Sequence, residues 1–377
     1  PANLESVTGN QVFVSDATGL SPIAGSAFAA YHETLNTAGN LIEVSGASVI
    51  NNSVYGGFTD FAASTGNTAR LSGTAKVQGS LYGAYVIFGA GQASGNKIEL
   101  SGTSLVGWNA MAGKSNSGPA TGNMATLGGS TKVTGSLYGG LSSTGVAQNN
   151  TVLITDKARV KESVYGGASN GPGAVSGNKV EILGDAWVDE KVNGGSSSSG
   201  AVSRNEVHVG GAAGVGEATR AGSSFGGEVT DNVAIVDGPA KLYGTLSGGH
   251  SAVGAARGNR VTLSGNAELI GAPARGGSGY TLAANNTVIL SDHAQALVGI
   301  IGGVAPQQAV GNTAIAGGDV QVGEVFGGLS ASGTAAGNRV EISGRANVSR
   351  DVAGGMSLAT DGTGAVSGNK VEILGDA

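Results

Sequence analysis

The sequence predicts an all-β fold, a parallel β-solenoid of roughly 12–13 coils with about 27 residues in each. Three observations lead there. An asparagine recurs at near-constant spacing, a short apolar alternation follows it, and a glycine pair follows that. One stretch, GAVSGNKVEILGDA, even occurs twice, at 173–186 and 364–377.

The marker asparagines are Asn40, Asn67, Asn96, Asn123, Asn150, Asn178, Asn205, Asn232, Asn259, Asn286, Asn312, Asn338 and Asn369. Neighbours lie 26 to 31 residues apart, most often 27, and Asn10 opens an earlier, degenerate unit. The second and fourth residues after each marker are apolar, as in Val152 with Ile154, Val180 with Ile182 and Val207 with Val209. The first and third are often polar, as in Lys179 with Glu181. Period-two alternation of this kind is a strand with one inward face. The sixth residue is glycine in most units, replaced by Asp156 and Asp292 in two, and reads as a corner. A second alternating strand follows, with small Ala158, Ala186 or Ala267 and then aliphatic Val160, Val188 or Leu269.

Glycine pairs come next: Gly56–Gly57, Gly139–Gly140, Gly166–Gly167, Gly194–Gly195, Gly248–Gly249 and Gly302–Gly303, each beginning 16 residues after its asparagine. They read as structural turns. Gly83–Ala84, Ala112–Gly113 and Ala221–Gly222 are variants, and after Asn205 the pair Gly226–Gly227 competes for the role. The segment between the pair and the next asparagine varies most in length, as in 85–95 and 356–368. Stacked, these segments form a ridge of Ser, Gly, Ala and Thr with little charge, where recognition is expected.

A unit this short buries its apolar face only by stacking on its neighbours. Leucine is too sparse for leucine-rich repeats, the 3.6-residue period of helical repeats is absent, and a propeller blade needs four strands where two or three are read here. Corners need positive φ, which glycine adopts freely and asparagine tolerates. Stacked asparagines, about 4.8 Å apart, can hydrogen-bond into a structural ladder. The domain reading is a degenerate first coil or coils over 1–39 and one continuous array over 40–377, cut at its C-terminal end.

Composition narrows the function. Glycine contributes 70 residues, and charged residues only 12 % against 40 % apolar, which argues against disorder. The net charge of −6 gives no basic stripe for nucleic acid. No apolar run approaches the roughly 20 residues of a transmembrane helix. Without cysteine there are no disulfides or thiolate sites. Glycoside hydrolysis wants two carboxyl groups about 5–9 Å apart. Asp156 and Asp292 share a position five units apart, Glu43 and Glu99 flank Arg70, and Glu341 and Glu372 sit beside Arg339 and Lys370, so surface pairing is the expectation. His32, His208, His250 and His293 have no metal-ligand spacing. No catalytic residue, cofactor or metal is expected, and the chain does not read as an enzyme. Tyr55, Tyr82, Tyr138 and Tyr165 precede glycine pairs and suggest a packed column rather than a carbohydrate platform; Trp108 and Trp187 share no position.

Units of the form N-x-V-x-I-x-G-x-A-x-V…V-Y-G-G…G-N resemble the repeats of passenger regions of Gram-negative type V autotransporters. The best example comprises Asn150, Val152, Ile154, Ala158, Val160, Val164, Tyr165, Gly166, Gly167, Gly177 and Asn178, with Asp156 in place of the pattern's first glycine. The resemblance covers the chain from Asn40 onward. It implies a right-handed β-helix, secretion through an outer-membrane barrel, and an adhesin or stalk at the cell surface, with a host or neighbouring-cell surface as partner. The alternatives are a fibre or sheath subunit stacking end to end on copies of itself, and a β-helix enzyme acting on polysaccharide.

Overall fold

The structure is a computed structural model that describes residues 6–16, 23–360 and 364–377. They fall into two compact units, Pro1–Glu190 and Lys191–Ala377. Both are parallel β-solenoids, about 13 turns in all at about 27 residues per turn, and no helix occurs among the described residues.

In the first unit, the coil that starts at Asn150 shows the construction. Its strands are Thr151–Ile154, Arg159–Val160, Val164–Ser169 and Val175–Ser176. The first pairs in parallel with Met124–Leu127 of the preceding coil and Lys179–Ile182 of the following one. Register sets Val152 against Val180 and Ile154 against Ile182, all fully buried, while Leu153 and Glu181 alternate outward. Burying such β-branched side chains contributes about 1.5–3 kcal/mol each, offsetting the entropy of ordering a glycine-rich chain. The degenerate opening coil is present in part: Gln11–Ser15 pairs with Leu41–Ser45, while 1–5 and 17–22 lie outside the described residues.

Each such coil holds four strands, not the two or three read from the sequence. The missed strand just before the asparagine, Val175–Ser176 here, is two residues long and too short to show alternation.

Left-handed backbone sits one residue away from where the asparagines suggested. The ladder asparagines do not carry positive φ; the residue before each does, as in Gly66 (61°), Asn149 (55°) and Gly177 (65°). The sixth-residue corner is also left-handed, at 68° in Gly73 and 59° in Asp156. Asn149, Asp156, Asp231, Asn285 and Asp292 replace glycine there because Asn and Asp tolerate this region best among the other residues, and Arg204 adopts it as well, at 54°.

The glycine pairs are not turns of that kind either. They lie inside six-residue strands such as Val54–Thr59, Leu137–Ser142 and Val164–Ser169, without positive φ. Across Val54–Thr59 the inward positions are Val54, Gly56, Gly57 and Thr59, so the alternation slips by one at the pair and the wall bends inward. Crowding explains the residue choice. A Cβ on Gly140 would sit 2.4 Å from Cγ of Asn150, and one on Gly139 would sit 2.5 Å from the Gly166 carbonyl oxygen. Ala84 takes the second place in the coil that starts at Asn67 and is fully buried there.

The second unit repeats this plan from Glu206–Val209 through Lys370–Gly375. Val207 stacks on Ala234 and Val209 on Val236. Gly222 pairs with Gly195 and Gly249, and a Cβ on it would meet Asn232 at 2.5 Å. Ala221–Gly222 is therefore the pair of its coil, and Gly226–Gly227 belongs to the ridge loop. The Gly194–Gly195, Gly248–Gly249 and Gly302–Gly303 pairs again lie inside strands.

Candidate interaction surfaces

The asparagine row is closed to ligands. Asn67, Asn96 and Asn150 are fully buried and Asn123 nearly so. The Asn123 main-chain N–H and Nδ2 both donate to Oδ1 of Asn150, at 3.0 and 2.8 Å, and Nδ2 donates again to the Ala93 carbonyl at 2.9 Å. Asn150 repeats the arrangement toward Asn178 and Ala120. In the second unit Asn232 donates likewise to Asn259 and Asn338 to Asn369. Both amide hydrogens donate and the oxygen accepts twice, so the amide has no capacity left for a ligand.

Where the wall bends at the glycine pair, the outward residues on either side face each other across a groove. In the first unit aromatic side chains fill it. Phe28, Tyr55 and Tyr82 stack at 4.7 and 4.9 Å with planes within 5°, and Tyr138 stacks on Tyr165 at 4.8 Å. Met111 aligns between Tyr82 and Tyr138. Sequence reading missed the opposite wall, where Tyr31, Phe58 and Tyr85 close on the first column, Phe58 meeting Tyr55 at 5.0 Å and Tyr82 meeting Tyr85 at 5.2 Å. The signal was present: those residues also follow the 27-residue repeat. Lys114 continues that wall with Nζ 4.2 Å from the Tyr85 ring centre. Burial pushes the Tyr82 and Tyr138 hydroxyls up to about 12. A sugar stacks on an exposed ring face; within the column the rings cover one another and pack, while Phe28 and Tyr31 at its start stay 39 % and 50 % exposed.

Trp108, 68 % exposed, lies apart from the ridge, which is a further exposed surface. Its loops are braced from beneath: Ser115 Oγ donates to the Gly91 carbonyl of the preceding coil and accepts from the Gly118 N–H, both at 2.9 Å. Ser142 does the same with Gly118 and Gly145. In the second unit Ser224, Ser251 and Ser330 play this part. The ridge is not only Ser, Gly, Ala and Thr. Phe61 is 55 % exposed and Phe88 64 % in the first unit, with rings 5.8 Å apart, and Phe225 is 68 % and Tyr280 50 % exposed in the second. Of the ridge segment 356–368, residues 361–363 lie outside the described residues.

Carboxylates occupy surface pairs. Arg70 bridges Glu43 at 3.2 Å and Glu99 at 2.8 Å, and Arg339 reaches both Glu341 and Glu372 at 2.8 Å. Asp156 accepts the Gly129 N–H at 2.7 Å and Asp292 the Gly265 N–H at 3.0 Å, each bracing the corner of the preceding coil. His208 lies 3.0 Å from Asp237 and His293 3.7 Å from Asp319. Among the described residues no three metal-ligating side chains converge, and no helix is long and apolar enough to cross a membrane. Compared with known proteins, the chain matches no family profile, no curated sequence and no solved structure.

Proposed function

We propose that this chain is a non-enzymatic, adhesive scaffold segment of a protein displayed outside the cell, and that it binds through the ridge. The observation that carries this reading is the recurrence of a large exposed apolar side chain on ridge loops, Phe61 and Phe88 in one unit and Phe225 and Tyr280 in the other. Phe61 and Phe88 adjoin, with rings 5.8 Å apart, and contiguous exposed apolar surface marks interaction sites. The buried ladder holds the period while the loops above it vary, so each coil adds one weak contact and the contacts sum. The partner is then another surface, of a host or neighbouring cell, rather than a small molecule held in one pocket.

Protein-coated beads settled on cultured cells test this. Replacing Phe61, Phe88, Phe225 and Tyr280 by serine, singly and then together, is expected to leave folding within about 0.5 kcal/mol per site. Bead retention should fall stepwise with each replacement. Unchanged retention in the fully substituted protein would place adhesion elsewhere and refute the ridge.

A further inference from the structure

We propose that the bend at Trp108 in the first unit is a carbohydrate-binding site for one neutral pyranose unit, stacked on the indole and held by Asn109, Thr134 and Glu162. The site lies between the second strand of each coil and the strand that holds the glycine pair, and it does not rest on the ridge reading. Strand register fixes its frame. Val106, Val133 and Val160 align on one side of the bend, and Ala110, Leu137 and Val164 on the other. Three residues connect the two sides in each coil, so Trp108, Gly135 and Glu162 share the middle place. Trp108 and Glu162 are therefore two coils apart, about 9.6 Å at roughly 4.8 Å per coil.

Glycine keeps the floor between them clear. A Cβ on Gly135 would lie 2.5 Å from Asn109 Oδ1 and 2.8 Å from the main-chain carbonyl carbon of Trp108. The Gly135 N–H donates to the Trp108 carbonyl at 3.0 Å, which joins the two coils directly beneath the gap. Polar side chains lean over it from both sides. Asn109 Oδ1 accepts the Ser136 N–H at 2.8 Å, and Glu162 Oε2 accepts the Ser136 hydroxyl at 2.9 Å. The result is a cavity of about 240 Å³ lined by Gly107, Trp108, Asn109, Thr134, Gly135 and Glu162.

The lining selects the ligand. Trp108 sets an exposed indole beside the cavity, where the matching places in the coils before and after it are Gly79 and Gly135. Among the described residues, Asn109 Nδ2, the Thr134 hydroxyl and Glu162 Oε1 have no hydrogen-bond partner. A pyranose has a C–H face for the indole and edge hydroxyls that both donate and accept. That matches an amide donor, a hydroxyl and a carboxylate acceptor set around one aromatic plate. An alkylammonium ion would use the indole and the carboxylate but leave the amide donors idle.

NMR titration of the isotope-labelled full chain with lactose, maltose, cellobiose and chitobiose tests the site. The chain has two tryptophans, so Trp108→Phe assigns the Trp108 indole N–H signal. With at least one of these sugars that signal should shift saturably, with a Kd in the millimolar range, while the Trp187 signal stays still. Trp108→Ala should abolish the binding seen from the sugar protons, and Glu162→Ala should weaken it about three- to tenfold. If Glu162→Ala fails to fold, Thr134→Val makes the same test. Tetramethylammonium chloride should bind more weakly than the best sugar. No saturable shift of Trp108 with any of these sugars overturns the site, as does an affinity unchanged in folded Glu162→Ala. Tighter binding of tetramethylammonium than of every sugar overturns it as well.

Discussion

Val180→Asp is expected to destabilise the first unit by at least about 4 kcal/mol, or to prevent it from folding. Val180 is fully buried and packs in register on Val152, in a column with no polar partner for a carboxylate. An aspartate there must either lie charged in an apolar interior or be neutralised. Burial raises its folded-state pKa above the unfolded value, so the penalty is present at neutral pH and is relieved as pH falls through the folded-state pKa. Chemical denaturation at pH 7 and at pH 4 reads both effects. A variant that melts within about 1 °C of the parent at pH 7 would mean that the second position after the asparagine does not face inward.

Asn150→Ala is expected to cost about 3–6 kcal/mol, more than its side-chain volume explains. The change removes the acceptor for the Asn123 N–H and Nδ2, and the donor to the Ala120 carbonyl, all buried. Each orphaned group carries a desolvation penalty of about 1–3 kcal/mol, and the penalties are not strictly additive. Asn170, exposed in a ridge loop, serves as the control, and Asn170→Ala should stay within about 0.5 kcal/mol. Solenoids can unfold in parts, so the comparison belongs on denaturation midpoints and on hydrogen exchange in coils near and far from the change.

Much of this architecture was legible because a solenoid writes the same physics into each coil. Alternation after each asparagine places Val152 and Ile154 inward without help from any other part of the chain. The marker spacing alone gives the register that sets Val180 on Val152. What stayed hidden depends on contacts between positions far apart in sequence. Glycine at 140 reads as a turn because glycine usually buys positive φ, whereas here it makes room for the Asn150 side chain of the next coil. The ladder asparagine likewise reads as the corner residue, when the left-handed residue is the one before it. Phe58 and Tyr85 follow the repeat in the sequence, but that they face Tyr55 and Tyr82 emerges only once the bend at the glycine pair turns two outward positions toward each other. Function is less legible still, because the residues that would carry it lie where the repeat leaves sequence free to vary.

Hydrogen exchange of the asparagine side-chain amides tests the central claim, that the buried row is a saturated structural ladder and not a binding surface. In the first unit the Nδ2 protons of Asn67, Asn96, Asn123 and Asn150 all donate inside the wall. They should exchange as slowly as the strand amide of Val152. Exchange as fast as that of the exposed Asn170 side chain would mean that the row is open to water, and would contradict the account.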